Sequence, residues 1–243
     1  ILLFATSAHA DITTNLNLWW KFDENTGTSA ADSSGASRTG TLNGAAAAVP
    51  AWLAPGKIGT SALTFERGNG EEVTRGDSSG VTDYPLSLCA WFRTSDTTNT
   101  QFFLGIGANG AESRATLLLA GGKVLANVRD SGGGSNNVTS VASYSSATWT
   151  HACLVATSGT GTVLLYVDAT SVGTPVDSRT LSGFDRTAAG GHVAFPEDNS
   201  TAFAGDLDDV RIYSRALSAG DVTELVAYTG ATTRRRARGS FFR

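Results

Sequence analysis

Short apolar runs of roughly four to eight residues recur along the chain, each closed off by Ser, Gly, Asn or Asp, and this punctuation constrains the fold most. Strands are expected at residues 16–22, 62–65, 86–93, 101–106, 115–119, 124–128, 149–156, 163–167, 192–195 and 208–213. Turn-rich stretches at 31–44, 130–137 and 158–161 divide them, and no fixed internal period stands out. The one helical signal is short and late: Ser218 can cap a first turn in which Asp221 holds the capping-box position. A charged fraction of only 16% with 28 glycines excludes a coiled coil or helical bundle. About ten strands with little helix predict an antiparallel sandwich of two sheets, because each sheet must bury an apolar face on the other.

The ends differ from the body. Residues 1–10 form an apolar run closing on Ala8-His9-Ala10, the small-x-small pattern that a signal peptidase accepts, so secretion and a mature start near Asp11 are expected. The sequence contains no Met, which predicts a processed form or a fragment. Residues 11–230 read as one sandwich domain, and 231–243 as a flexible basic tail carrying Arg234, Arg235, Arg236, Arg238 and Arg243. That tail leaves the body more acidic than the overall net charge of −4, which disfavours nucleic acid as a partner. No apolar stretch reaches the ~18 residues of a membrane span.

Two motifs carry a resemblance that covers nearly the whole body. Trp20-Lys21-Phe22-Asp23-Glu24, followed by Gly27, Asp32-Ser33-Ser34-Gly35 and Gly40, is similar to the first strand and loop of bacterial laminin-G-like, concanavalin A-like domains. The segment from Gly205-Asp206-Leu207-Asp208-Asp209 through Val210-Arg211-Ile212-Tyr213 to Ser218 resembles their closing strand more strongly. The resemblance implies an all-β fold, an antiparallel two-sheet jelly-roll sandwich with one short C-terminal helix. Pro85-Leu86-Ser87-Leu88-Cys89 and His151-Ala152-Cys153, with Tyr166-Val167-Asp168 downstream, resemble pentraxin strands, which implies a Cys89–Cys153 disulfide. An even pair of cysteines in an exported chain agrees with that pairing, the alternative being two separate buried thiols.

The metal expectation rests on carboxylates in strand settings. Strict alternation would place Asp208 on the face of Val210 and Ile212, with Asp209 on the face of Arg211 and Tyr213. A carboxylate on a core face needs hydrogen bonds, an ion pair or a metal, and Ca²⁺ suits an oxygen donor set. Asp32 is the expected second ligand and Asp23 a third; the alternative is that Asp32 caps its own turn and Asp208 accepts backbone N–H groups. Glu197 and Asp198 form a further metal candidate, and Asn199 with Trp52, read as a loop aromatic, are the ligand-binding candidates. Trp19, Trp20, Trp91 and Trp149 read as core. Asn137-Val138-Thr139 and Asn199-Ser200-Thr201 fit the glycosylation sequon.

Catalysis is not expected. Gly76-Asp77-Ser78-Ser79-Gly80 resembles a serine-protease nucleophile segment, yet none of the three histidines sits in a matching context to serve as its base. No strand shows the paired carboxylates that glycan hydrolases on this fold use. The sequence therefore predicts a secreted, non-catalytic binding or adhesion module for carbohydrate or a cell-surface partner, with structural calcium. The alternatives are a self-assembling subunit of an extracellular structure and, as a minor one, a glycan-active enzyme.

Overall fold

A computed structural model describes residues 11–108, 113–144, 148–158, 161–191 and 199–230. The expected strand at 192–195, the candidates Glu197 and Asp198, and both chain ends lie outside the described residues. Two eight-stranded antiparallel sheets stack face to face. With strands numbered along the chain, the first sheet runs β14 (Thr170–Asp177), β13 (Thr162–Val167), β12 (Thr150–Ala156), β7 (Leu86–Arg93), β16 (Gly205–Tyr213), β5 (Ala62–Phe65), β4 (Ala51–Leu53). β1 (Leu16–Trp20) also joins it, pairing the second half of β16. The second sheet runs β11 (Ser135–Thr139), β10 (Lys123–Arg129), β9 (Arg114–Ala120), β8 (Gln101–Gly107), β15 (Arg186–Ala189), β6 (Glu72–Arg75), β3 (Gly40–Asn43), β2 (Ser29–Ala30). This is the jelly-roll sandwich that the sequence predicts.

Alternation decides what each central strand buries. In β7, Leu86, Leu88, Ala90 and Phe92 enter the inter-sheet core, while Cys89 and Trp91 point to the opposite face. The core closes around aromatic pairs, with Phe92 stacked on Phe103 at 4.9 Å and Phe65 edge-on to Phe203 at 6.3 Å. Each such buried side chain contributes about 1.5–3 kcal/mol relative to exposure. The outer face of the first sheet is buried as well, because helix α1 (Ala219–Ala227) lays Val222 and Leu225 over Cys89, Cys153, Val155 and Tyr213. The capping box forms as expected: the Asp221 N–H donates to Ser218 Oγ at 3.2 Å, and the Ser218 N–H donates to Asp221 Oδ2 at 2.7 Å.

One register shift corrects the sequence reading. β16 slips against β7 between Asp208 and Arg211, and Asp209 takes a left-handed φ of 50° inside that bulge. Alternation therefore skips a residue. Leu207, Val210 and Ile212 face the core, whereas Asp208, opposite Trp91, shares the outer face with Arg211, opposite Cys89. The expectation that Asp208 lies on the Val210/Ile212 face fails for this reason. Trp52 also differs from its loop assignment. It sits in β4, half-buried against the core, and its Nε1–H donates to the Gly27 carbonyl at 2.9 Å, closing a sheet edge.

Candidate functional site

The described surface offers a polar groove where β3 and β6 pair. Gly40 and Leu42 turn inward, and the strand lies so close to Trp20 that a Cβ on Gly40 would meet the indole at 2.7 Å. Glycine at that position lets β3 seat flat, which leaves Thr39, Thr41 and Asn43 facing outward. Thr41 pairs with Thr74 across the ladder, and Asn43 Nδ2 donates to Thr74 Oγ1 at 2.6 Å and to the Thr41 carbonyl at 2.9 Å. Arg75 and Asp77 join in an ion pair at 2.7 Å, completing a groove of about 470 Å³ with Gly76. The Arg75 hydrogen bond holds the Asp77 carboxyl below its usual range. A second hollow of about 340 Å³ extends past Thr74 and Arg75 to Asp185 and Arg186, where Arg186 is buried against Glu72 at 2.6 Å. The first groove's lining is hydroxyl, amide, guanidinium and carboxylate, with no aromatic ring. It can exchange hydrogen bonds with a polyhydroxylated ligand.

The acids singled out in the sequence are occupied with protein donors. Asp32 accepts from the N–H groups of Trp19, Ser34 and Arg38 at 2.9 Å each and from Ser34 Oγ at 2.7 Å, which uses the roughly four lone-pair sites of a carboxylate. Burial works against its charge, but these bonds together hold it below the usual range. Asp208 accepts from Lys57 N and Ile58 N at 2.8 Å on one oxygen and from Asp209 N at 2.7 Å on the other. Burial pushes its carboxyl up to about 8, with the neighbouring Asp209 charge adding to the shift. Asp23 accepts from Thr60 N at 2.6 Å, so Asp23 and Asp208 pin the two ends of one loop. Among the described residues the one cluster of three metal-ligating side chains is Cys89, His151 and Cys153; Asp32, Asp208 and Asp23 form none. Carboxylates aimed at N–H donors do not fit a Ca²⁺ cage. Asn199 lies in a short 3₁₀ turn, Asn199–Thr201.

Residues 67–223 match the sequence pattern of the Concanavalin A-like lectin/glucanases superfamily, well over half of the chain. The chain belongs to that superfamily. Solved structures of similar shape agree on the fold. Domain 4 of AbnA, an extracellular GH43 arabinanase from Geobacillus stearothermophilus solved with arabinotriose, superposes with a TM-score of 0.67 at 22% identity, over 87% of this chain and 98% of that one. The binding domain of Paraclostridial Mosquitocidal Protein 1 gives 0.67 at 15% identity, over 89% of this chain and 52% of that one. The botulinum neurotoxin serotype D binding domain gives 0.64 at 13%, over 88% and 52%. The chain thus spans about half the length of these toxin domains. No protein with a curated description matches it in sequence.

Within this concanavalin A-like frame, the outer face of the first sheet is sealed by its own charges. The Arg211 guanidinium lies 4.2 Å from the Trp19 ring and 4.6 Å from the Tyr228 ring, and donates to Asp209 Oδ1 from Nε at 3.2 Å and Nη2 at 3.1 Å. Trp19 Nε1–H donates to the same oxygen at 2.6 Å. Cys89 and Cys153, opposite each other on β7 and β12, are disulfide-bonded as the pentraxin likeness implies. No helix among the described residues is long and apolar enough to cross a membrane. Apart from Gly76 and Asp77, noted only within a protease-like segment, the groove residues escaped the sequence reading, although Thr39-Gly40-Thr41-Leu42-Asn43 does alternate polar and apolar in strand fashion.

Proposed function

We propose that this domain is a secreted, non-catalytic module that binds a carbohydrate chain, free or on a cell-surface partner, in the groove between β3 and β6. The row of Thr39, Thr41, Asn43 and Thr74 on two paired strands carries this reading, since hydroxyls and an amide held by a ladder are preorganised for sugar hydroxyls. The arabinanase domain solved with arabinotriose supports a saccharide as the ligand class. A non-catalytic role is supported by Asp77, whose ion pair with Arg75 holds its carboxyl below the usual range and so not poised as a proton-holding acid, while Glu72 is engaged by Arg186. The disulfide suits an oxidising, extracellular compartment. Calcium is not required in this reading, because Asp32, Asp23 and Asp208 already serve as backbone clamps.

The test is a glycan array followed by calorimetry on the intact chain, in calcium and in chelator. Binding is expected in both solutions, and the double variant Asn43→Ala/Thr74→Val should weaken it at least about tenfold by deleting two hydrogen-bonding groups. Undiminished binding in that variant would place the ligand elsewhere. Loss of binding in chelator would restore the metal, and turnover of a bound glycan would overturn the non-catalytic reading.

A further inference from the structure

Beneath helix α1, Cys89, Cys153 and His151 lie on one face of β7 and β12, and their ligand atoms all fall within 4.8 Å of one another. We propose that this cluster, when its disulfide is reduced, is a binding site for a thiophilic d¹⁰ cation such as Zn²⁺, so that one pocket holds either a covalent crosslink or a metal. The spacing suits that exchange. Tetrahedral zinc with sulfur at ~2.3 Å and nitrogen at ~2.0 Å separates its ligands by roughly 3.5–3.8 Å, so the two sulfurs must part by somewhat under ~2 Å once the S–S bond opens, while the imidazole nitrogen already lies within 4.8 Å of both.

The second observation is His151 itself. Its Nδ1 is buried and has no hydrogen-bond partner, in a residue that is 1% exposed. Leaving a buried polar atom unpaired is costly, and coordination is one way to use it. The ring packs edge-on against Trp91 at 5.1 Å, and the backbone N–H of His151 donates to Asp168 Oδ1 at 2.9 Å, which holds the residue in β12. Charge also balances. Two thiolates, one divalent cation and a neutral imidazole sum to zero, which limits the cost of charge in a site where all three residues are at most 1% exposed.

The chemistry needs an external reductant of the dithiol or phosphine class. A dithiol gives two electrons and two protons to the sulfurs and becomes a disulfide itself; the Cys89–Cys153 bond becomes two thiols. Zn²⁺ then displaces both thiol protons to solvent and forms two Zn–S bonds and one Zn–N bond. The oxidised protein offers only disulfide sulfur and is not a site.

The intact chain is reduced with a phosphine, freed of it under inert gas, checked for two free thiols and for native circular dichroism, and titrated with Cd²⁺ as an ultraviolet-absorbing stand-in for Zn²⁺. One equivalent is expected to bind with a thiolate-to-metal charge-transfer band, displaced by Zn²⁺, while the oxidised protein shows no band. His151→Ala should weaken binding at least about tenfold and Cys153→Ser should abolish the stoichiometric band. If His151→Ala unfolds, His151→Asn reports the same contribution with a polar side chain retained. The proposal is overturned if the folded chain yields no free thiols, if reduced protein gives no band, or if both His151 variants that fold bind as tightly as the original.

Discussion

Two ion-paired sites, one on each sheet of this sandwich, carry charge in opposite states. On the first sheet, Asp209 and Arg211 are each 1% exposed, with the guanidinium between the Trp19 and Tyr228 rings. On the second, Arg75 and Asp77 remain 26% and 44% exposed along an open groove. Both sites hold an ion pair, but only the one in the groove can trade its hydrogen bonds with a ligand. A charge that has lost its water is a structural element, whereas a half-solvated one on a rigid ladder is available for recognition.

The sharpest way to break this contrast is to delete one cation from each face. Arg211→Ala strands Asp209 in a dry site and empties the space between Trp19 and Tyr228, so unfolding in urea should show a loss of about 3–5 kcal/mol. Arg75→Ala, the matching change in the groove, should cost under about 1 kcal/mol in the same assay. Similar losses from both variants would remove the distinction.

Acidity sharpens the comparison at a smaller scale. Asp208, raised from 3.8 to about 8, holds a proton in the folded chain that the unfolded chain has released, so its contribution is full below about 3.8 and is lost as pH rises through about 8. His151, lowered from 6.5 to about 3, acts in the opposite direction: its contribution is full above about 6.5 and is lost as pH falls through about 3. The two slopes oppose each other between about pH 4 and 6.5. Above that only Asp208 remains, and stability should fall by up to about 1.4 kcal/mol per pH unit between about 6.5 and 8. Denaturant midpoints that stay level across that window would show that the three N–H donors keep Asp208 ionised. The smallest effect belongs to the groove: Thr41→Val should change stability by no more than about 0.5 kcal/mol, because Thr41 is exposed, while weakening glycan binding in calorimetry.

Most buried strands were legible in the sequence because burial writes itself as alternation; β15, buried and central but only Arg186-Thr187-Ala188-Ala189 with no bulky apolar residue, was not. The expected 62–65 and 86–93 coincide with β5 and β7, and 101–106, 115–119 and 124–128 fall one residue short of β8, β9 and β10 at one or both ends. Edge strands were not. β14 reads Thr170-Ser171-Val172-Gly173-Thr174-Pro175-Val176-Asp177, largely exposed and interrupted by Gly and Pro, so nothing in its composition separates it from a loop. The groove was missed for the same reason, as its residues belong to short strands whose outward positions are polar. The Asp208 face was misread because a bulge is a one-residue event. Its cue is slight: Asp209 is of a residue type that tolerates left-handed backbone, beside a second aspartate that can accept its N–H. The cysteine pairing was legible through likeness to pentraxin strands, but not the imidazole beside it, since His151 and Cys153 meet Cys89 only when β12 and β7 align.

The place of β16 has a bearing on how the molecule comes into being. It lies between β7 on one side and both β5 and β1 on the other, yet it is the last strand of the described chain, and its Tyr213 meets Leu16 of the first. A ribosome releasing this chain delivers the flanks of a sheet before its middle, with the inner borders of β5, β7 and β1 facing one another across a gap. Until that strand arrives, the most adhesive surfaces of the molecule are those destined for its interior, and pairing between nascent neighbours competes with completion.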